Sequence, residues 1–377
     1  MIWAISIIFI LYTILIIVLT TGFNKVEEFT DILKTKTTSF SVVIPFRNEA
    51  ENLPYLLKSI SELDYPNELI EFILVDDDST DDSIEIIKKA LDTITLKNEI
   101  TRTKIRIIKN KRTSNSPKKD AITTAISIAK HNWIVTTDAD CILPKNWLIS
   151  LDSFIQKNNP KMVVAPVNYK TENNFLKQFQ LFDFMSMQGT TIGGFGINFP
   201  FLCNGANLAY KKEDFIKLNG FDGNNNMASG DDVFLFEKFI EADKNSVLYL
   251  KSKDAIVTTF PVNSWRDLIN QRTRWAAKTS NFNSLNTKLI GLLVLVTNAS
   301  FFYAFSLDSK LFLFTLLVVK MIVDLFLFKP TFQFFNHEIK ILKWYILVSL
   351  LYPFFSLYVI FKSVFFRYKW KGRSFKK

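Results

Sequence analysis

Residues 1–24 carry no charge and are almost entirely Ile, Leu, Val and aromatic. About 20 apolar residues cross a hydrocarbon core, and a lone segment there satisfies its backbone only as a helix. A cleaved signal peptide wants a basic n-region and a small-residue cleavage site. Neither is in this run, so it reads as an uncleaved anchor helix. A buried core helix is the other reading, but the run lacks the polar stripe such helices carry.

Three more apolar segments lie at the far end, at about 289–307, 311–328 and 342–366. The second holds Lys320 and Asp324, four apart on one helical face, where they can pair or face a protein interior. The third holds Pro353, which would kink a spanning helix or split a re-entrant hairpin. The expected layout is an anchor at 1–24, a soluble domain at 39–282, membrane segments within 287–366 and a basic tail at 367–377.

The tail contains six Lys or Arg and no acid. Loop positive charge favours the cytoplasm. With the middle domain cytoplasmic, three complete C-terminal spans would put that tail outside. The Pro353 segment is therefore expected to be re-entrant or interfacial. The protein is expected in the cell membrane, multi-pass, with its soluble domain cytoplasmic.

Charge and cysteine content exclude some classes. Lys and Arg total 46 against 36 Asp and Glu, a formal net charge of +10. That balance suits nucleic acid, an anionic membrane face or phosphorylated substrates. Cys141 and Cys203 make neither a disulfide framework nor a zinc pattern. His131 and His337, the two histidines in the chain, are read as ordinary surface residues.

The middle alternates strand and helix patterns. FSVVIPF, IEFILVDDD, KIRIIK and WIVTTDAD are short β-branched runs; the segments between them have helical spacing. Such alternation predicts an α/β fold with a mostly parallel sheet covered on both faces. Ligands then bind off the carboxyl ends of the strands. Three of those ends are polar: Arg47-Asn48-Glu49, Asp76-Asp77-Asp78 and Asp138-Ala139-Asp140. Carboxylates gathered on one edge repel unless a cation joins them. An acid-lined edge would also repel a nucleic-acid backbone, so no nucleic-acid partner is expected.

SVVIPFRNEAENL, ILVDDDSTDDS, IVTTDADC, SGDDVFL and QRTRW occur in this order. Together they resemble the family 2 inverting glycosyltransferases with the A-type nucleotide-sugar fold (GT-A), over about 39–278. The resemblance implies a nucleotide-sugar-binding sheet flanked by transmembrane helices. Asp138 and Asp140 match the Asp-x-Asp pair, side chains two apart in an extended chain that face the same way. They would address Mg²⁺ or Mn²⁺ bridging a diphosphate, and Asp138 would also help hold the donor. A solvated turn is the plain alternative.

By the same resemblance, Asp76 and Asp77 would bind the nucleotide base, and Pro45 and Glu49 would border base and ribose. Arg47 stands where relatives often have Tyr or His. It would contact phosphate or pair with Glu49. Asp78, Asp81 and Asp82 read as helix capping. Lys119, in a basic stretch resembling the family's Gly-Lys segment without its glycine, would reach the donor phosphates; a solvated loop fits equally.

Asn204, Gly205 and Asn207 resemble an acceptor-lining segment, or else a tight turn at a strand entry. Asp232 aligns with the catalytic base that takes the acceptor hydroxyl's proton. Asp231 replaces a common Glu and would lie near the acceptor and diphosphate, or cap a helix. Gln271, Arg274 and Trp275 lie at i, i+3 and i+4, one helix face. They would close the acceptor channel near the diphosphate; a membrane-surface amphipathic helix is the plain reading. Trp370 and Arg373 resemble a signature of lipid-glycosylating members, or a headgroup anchor.

These residues imply transfer of a sugar from a nucleotide-diphosphate donor, a UDP-sugar, to a lipid or lipid-linked acceptor at the cytoplasmic membrane face. A processive polysaccharide synthase and a non-catalytic membrane scaffold remain the alternatives. The sequence leaves the oligomeric state open.

Overall fold

A computed structural model describes residues 2–97, 105–225, 227–279, 282–307, 309–337, 343–371 and 373–375. The chain divides into two compact units: Glu28–Lys170 with Cys203–Phe260, and Met1–Glu27 with Thr171–Leu202 and Pro261–Lys377.

The first unit holds the sheet. Its strands are β1 (Phe40–Phe46), β2 (Ile70–Asp76), β3 (Ile105–Lys109), β4 (Trp133–Thr136), β5 (Cys141–Ile142), β6 (Met162–Val164), β7 (Val167–Tyr169), β8 (Leu208–Lys211), β9 (Val247–Tyr249) and β10 (Val257–Thr259). Seven of them form one sheet in the order β3-β2-β1-β4-β8-β6-β9. β3, β2, β1 and β4 run parallel, and β8 runs antiparallel to β4 and β6. A smaller sheet has the order β5-β10-β7.

Strands β1 and β2 are near-continuous apolar runs because helices cover both sheet faces. Val42, Val43, Ile44, Ile73, Leu74 and Val75 are fully buried. Helices α2 (Leu53–Ser61), α3 (Ser83–Lys97), α4 (Pro117–Ile128) and α5 (Trp147–Asn158) follow strands, and α4 packs on β1 and β2. β1 and β2 pair in register, Phe46 opposite Asp76, and β4 pairs with β1 up to Val43–Thr136. The acidic segments after β2 and β4 therefore leave the sheet at one edge, where the strand order turns back.

The second unit is helical. It contains α1 (Ile2–Lys25) and α6 (Phe175–Gly196). In the first unit, α7 (Lys212–Lys217) and α8 (Asp231–Asp243) come next in the chain. The second unit then resumes with α9 (Trp265–Thr279), α10 (Leu285–Ser306), α11 (Lys310–Phe334), α12 (Tyr345–Phe365) and a hairpin, β11 (Tyr368–Trp370) with β12 (Arg373–Phe375). Helices α1, α10, α11 and α12 are long and apolar enough to cross a membrane, at 24, 22, 25 and 21 residues.

The segment 39–282 is shared between the two units, with α6 and α9 grouped with the four long apolar helices. Glycines explain the α6 part: a Cβ at Gly193 would lie 2.4 Å from the Leu19 carbonyl oxygen, and one at Gly189 2.5 Å from Thr331 Oγ1. Only bare backbone permits that approach. Pro353 sits inside one continuous helix, so no hairpin forms there. His131 is half-buried, and His337 packs edge-on against Phe332, where burial lowers its pKa to about 4.

Candidate functional site

The sheet edge is built from turns that hydrogen-bond themselves into place. After β2, Asp76 Oδ1 accepts from the Ser79 amide at 3.0 Å. Arg47 does not reach Glu49. Its guanidinium donates to the carbonyls of Asp77 and Asp78 and pairs with the Asp78 carboxylate. This clamp holds Asp78 in the left-handed region, with φ at 65°. Asp81 behaves as the capping reading expects. Burial works against its charge, but hydrogen bonds from Ser83 and Ala50 outweigh that and lower its pKa.

Asp77 is buried and accepts from Asn110 Nδ2 at 2.7 Å, with Arg112 Nη1 at 3.5 Å. Glu49 is buried too, its carboxylate taking the Asn52 amide group at 2.7 Å. Pro45 is half-buried, near the end of β1. Arg112 also pairs with Asp120 at 3.3 Å. Burial pushes Asp120 up, but donors from Ser114 and Thr113 outweigh it and hold its carboxyl below the ordinary value. Arg112, Thr113, Ser114, Asn115 and Asn225 line a polar hollow of about 560 Å³.

After β4 the Asp-x-Asp pair is half-buried rather than solvated. The cation beside it is Lys118. Its ammonium lies 2.6 Å from Asp138 Oδ1 and 3.2 Å from Asp231 Oδ2. Burial alone would lower its pKa; Asp138, Asp231 and Asp232 outweigh that and hold it charged. The neighbouring Lys119 points elsewhere. It is buried, donates to the Asn224 and Met227 carbonyls and lies over the Phe234 ring. Sequence reading chose Lys119. No helical register separates the two, since Lys119 is the one buried with Ala121 and Ile122; the partners of Lys118 come from segments distant in sequence.

Asp231 and Asp232 open α8 after Gly230, whose φ of 83° suits glycine. Asp232 accepts from the Val233 amide at 2.8 Å and the Gly205 amide at 3.3 Å. Gly205 must be small. A Cβ there would sit 3.1 Å from Asp232 Cβ and 3.3 Å from Asp231 Oδ2. Asn204 caps the turn by accepting from Ala206. Asn207 is no ligand group: its side chain is consumed by Trp147, Pro166 and Ala255.

Asp138 and Asp140 are hard oxygen donors of the kind Mg²⁺ or Mn²⁺ takes. Among the described residues no three His, Cys, Asp or Glu side chains form a closed cage, so phosphate and water would supply the other ligands. Cys141 is no nucleophile here, since burial, then Asp140 and Asp138, push its thiol well above the ordinary range.

In the helical unit, Gln271, Arg274 and Trp275 are half-buried on α9. Arg272, between them in sequence, is buried. Its guanidinium donates to the Gln271 side chain, stacks 4.1 Å from the Trp275 ring centre and pairs with Asp183. The side chain of Trp370 lies outside the described residues. Arg373 is half-buried in the terminal hairpin.

Comparison with known proteins agrees with this geometry. The model for glycosyl transferase family 2 matches residues 41–218, and that for glycosyl transferase family group 2 matches residues 133–361. A mannosyltransferase, PcManGT from Pyrobaculum calidifontis, solved with GDP-Man and Mn²⁺, superposes over 94% of this chain and 99% of its own. Its TM-score is 0.60 at 16% identity, which speaks for the fold. The poly(ribitol-phosphate) beta-N-acetylglucosaminyltransferase TarS of Staphylococcus aureus is 26% identical over 125 residues, 33% of this chain and 20% of that protein. Glycosyltransferase GlyG of Streptococcus pneumoniae is 29% identical over 137 residues, 36% of this chain and 42% of its own. The chain thus spans less than half the length of either curated relative. With the group 2 model covering more than half of the sequence, the chain belongs to the family 2 glycosyltransferases.

Proposed function

We propose that this glycosyltransferase is inverting and membrane-anchored. It moves one sugar from a nucleotide-diphosphate donor, a UDP-sugar, to a lipid or lipid-linked acceptor at the cytoplasmic membrane face. The observation that carries the reading is the Lys118 ammonium held between Asp138 and Asp231, which come from separate segments of one sheet edge. That edge gathers carboxylates around a single ammonium, and the positive charge of a metal-bound diphosphate would complete it.

Asp76 and Asp77 offer acceptors to the base, and Pro45 and Glu49 border it with the ribose. Asp138 and Asp140 would hold Mg²⁺ or Mn²⁺, which neutralises diphosphate charge and eases its departure. Asp232 takes the proton from the acceptor hydroxyl as that oxygen attacks the anomeric carbon opposite the nucleotide. Asn204, Gly205 and Asp231 line the acceptor side. Gln271, Arg274 and Trp275 supply an amide, a charge for the leaving phosphates and a flat face for a sugar ring. The mannosyltransferase solved with GDP-Man and Mn²⁺, and TarS by its name, support a nucleotide-sugar donor.

The helical unit also supports a topology. α12 packs along α9, with Lys362 bonded to Asn270 at 2.9 Å and Trp265 against Phe355. α9 is rich in Arg, Lys, Asp and amides, a poor neighbour for a helix in hydrocarbon. We place α12 at the interface, which keeps the basic tail cytoplasmic. A C-terminal tag digested by protease from outside intact cells would overturn that placement.

The test of function is a donor screen on protein purified with native lipids. UDP- and GDP-sugars are offered with Mg²⁺ or Mn²⁺. Released nucleoside diphosphate with radiolabelled sugar moving into the organic phase is the expected result. Label in a long insoluble product would favour a processive synthase, and no turnover with any donor would favour a scaffold.

A further inference from the structure

The helical unit holds a chain of charges that the reaction scheme leaves unused. Lys320 lies near the middle of α11 and donates to Asp324 Oδ2 at 2.6 Å. Asp324 also accepts from the Tyr12 hydroxyl of α1 at 2.6 Å. The Lys320 ammonium lies 5.3 Å from the Tyr12 ring centre and 6.0 Å from that of Tyr352 on α12. The Tyr352 ring lies 6.2 Å from that of Phe179 on α6, one turn before Asp183. Asp183 in turn pairs with Arg272 on α9. The chain thus runs through five helices and holds two cations and two anions, a net charge of zero.

Charges in such a bundle are expensive, and well-packed apolar side chains would stabilise it at least as well. Their retention asks for a role. The end of the chain supplies one. Arg272 holds the Gln271 side chain with one guanidinium nitrogen and stacks flat beneath Trp275. A planar fork can do both at once, which a lysine cannot.

We infer that Asp183 and Arg272 are positioning residues for transfer, fixing the Gln271 amide and the Trp275 ring, and that the Tyr12–Asp324–Lys320–Tyr352 chain ties them to the long apolar helices α1 and α11. The inference rests on the proposed acceptor role of the α9 face. It explains why QRTRW has its buried arginine at the second place: Arg274 is left for the ligand, and Arg272 sets its neighbours.

The experiment uses the full chain in lipid nanodiscs. Three variants are compared with wild type: Asp183→Leu with Arg272→Met, Arg272→Lys alone, and Lys320→Met with Asp324→Leu. Removing a pair together avoids leaving one buried charge alone, so folding is kept. Readouts are thermal midpoint, UDP binding with Mn²⁺, steady-state transfer from the UDP- and GDP-sugar panel, and amide hydrogen exchange over residues 265–279. For Asp183→Leu with Arg272→Met we expect kcat to fall at least about tenfold, with donor KM held within about twofold. Exchange along α9 speeds up. Arg272→Lys gives the same pattern, because charge without the planar fork does not restore the contacts. The Lys320 and Asp324 pair gives a smaller loss, about threefold, in the same direction.

Wild-type kcat in the double variant would overturn the inference, as would full rescue by Arg272→Lys. If wild type transfers no sugar, the proposed function falls, and the exchange arm alone decides. Faster exchange over 265–279 upholds the positioning of α9, and unchanged exchange overturns it.

Discussion

The two units handle buried carboxylates in opposite ways. In the helical unit Asp183 and Asp324 each have a cation of their own, Arg272 and Lys320. In the sheet unit one lysine, Lys118, is shared by Asp138 and Asp231 and is also felt by Asp232. The first arrangement pairs charges one to one; in the second, the ion pairs among the described residues set one ammonium against two carboxylates. A complete network sets shape. A deficient one on an open strand edge is where a cation-bearing ligand gains most, since each added positive charge relieves repulsion already present.

The sheet unit contains a complete network as well, which sharpens the contrast. Glu71, buried in β2, is satisfied by Ser41, the Lys130 amide and Arg106, all at 2.6 Å. It is as buried as Asp76 but needs nothing from outside. Acidity and burial alone do not mark a site; the deficit does.

The largest effect should come from deepening the change at the deficient edge. Asp138→Asn with Asp140→Asn is expected to lower transfer by about a thousandfold or more, because charge stabilisation of the leaving diphosphate is lost. Mn²⁺-dependent UDP binding, followed by calorimetry, should vanish with it. Retained Mn²⁺-dependent binding would break the comparison.

Gly205→Ala comes next. The added methyl presses on Asp232 and Asp231, so transfer should fall by about ten- to a hundredfold through misplacement of the acid pair. The thermal midpoint should move little, since the neighbours that must shift are side chains at a ligand-facing edge. A large midpoint drop with unchanged kcat would show Gly205 to be a packing residue only.

The two adjacent lysines give the third test. Lys118→Met should lower kcat/KM by about tenfold with stability nearly kept. Lys119→Met should do the reverse, lowering the midpoint because the Asn224 and Met227 carbonyls lose their donor. Equal effects from both would dissolve the distinction.

The smallest effect belongs to His337. Its folded pKa of about 4 lies below the ordinary histidine value of 6.5, so the unfolded chain binds the proton first. Stability is then full above about pH 6.5 and falls as pH drops towards 4, by up to about 3 kcal/mol. His337→Gln should flatten that stretch of a pH–stability curve in detergent.

Much of this was legible in the sequence. The β-branched runs became β1 to β4 with nearly the expected limits, and the acids ended on one edge because a parallel sheet puts them there. The i,i+4 pair of Lys320 and Asp324 was legible because helical spacing is local. The Arg47–Glu49 pairing and the ligand role of Asn207 were misjudged because the actual partners, the Asp77 and Asp78 carbonyls and the Trp147 indole, come from distant segments. Asp183 was silent for the same reason: it meets Arg272 across 89 positions. The unit boundary escaped because α6 shows no apolar excess strong enough to mark a membrane helix; its glycines pack on α1 and α11 by close backbone approach instead.

The most direct measurement is donor-saturated transfer by wild type and Asp232→Asn, with the anomeric configuration of the product read by NMR. The account predicts inversion in the wild type. In the variant it predicts a rate lowered by about a hundred- to ten-thousandfold, with UDP and Mn²⁺ bound as in wild type. A variant that transfers at the wild-type rate, or a wild-type product with retained configuration, would contradict it.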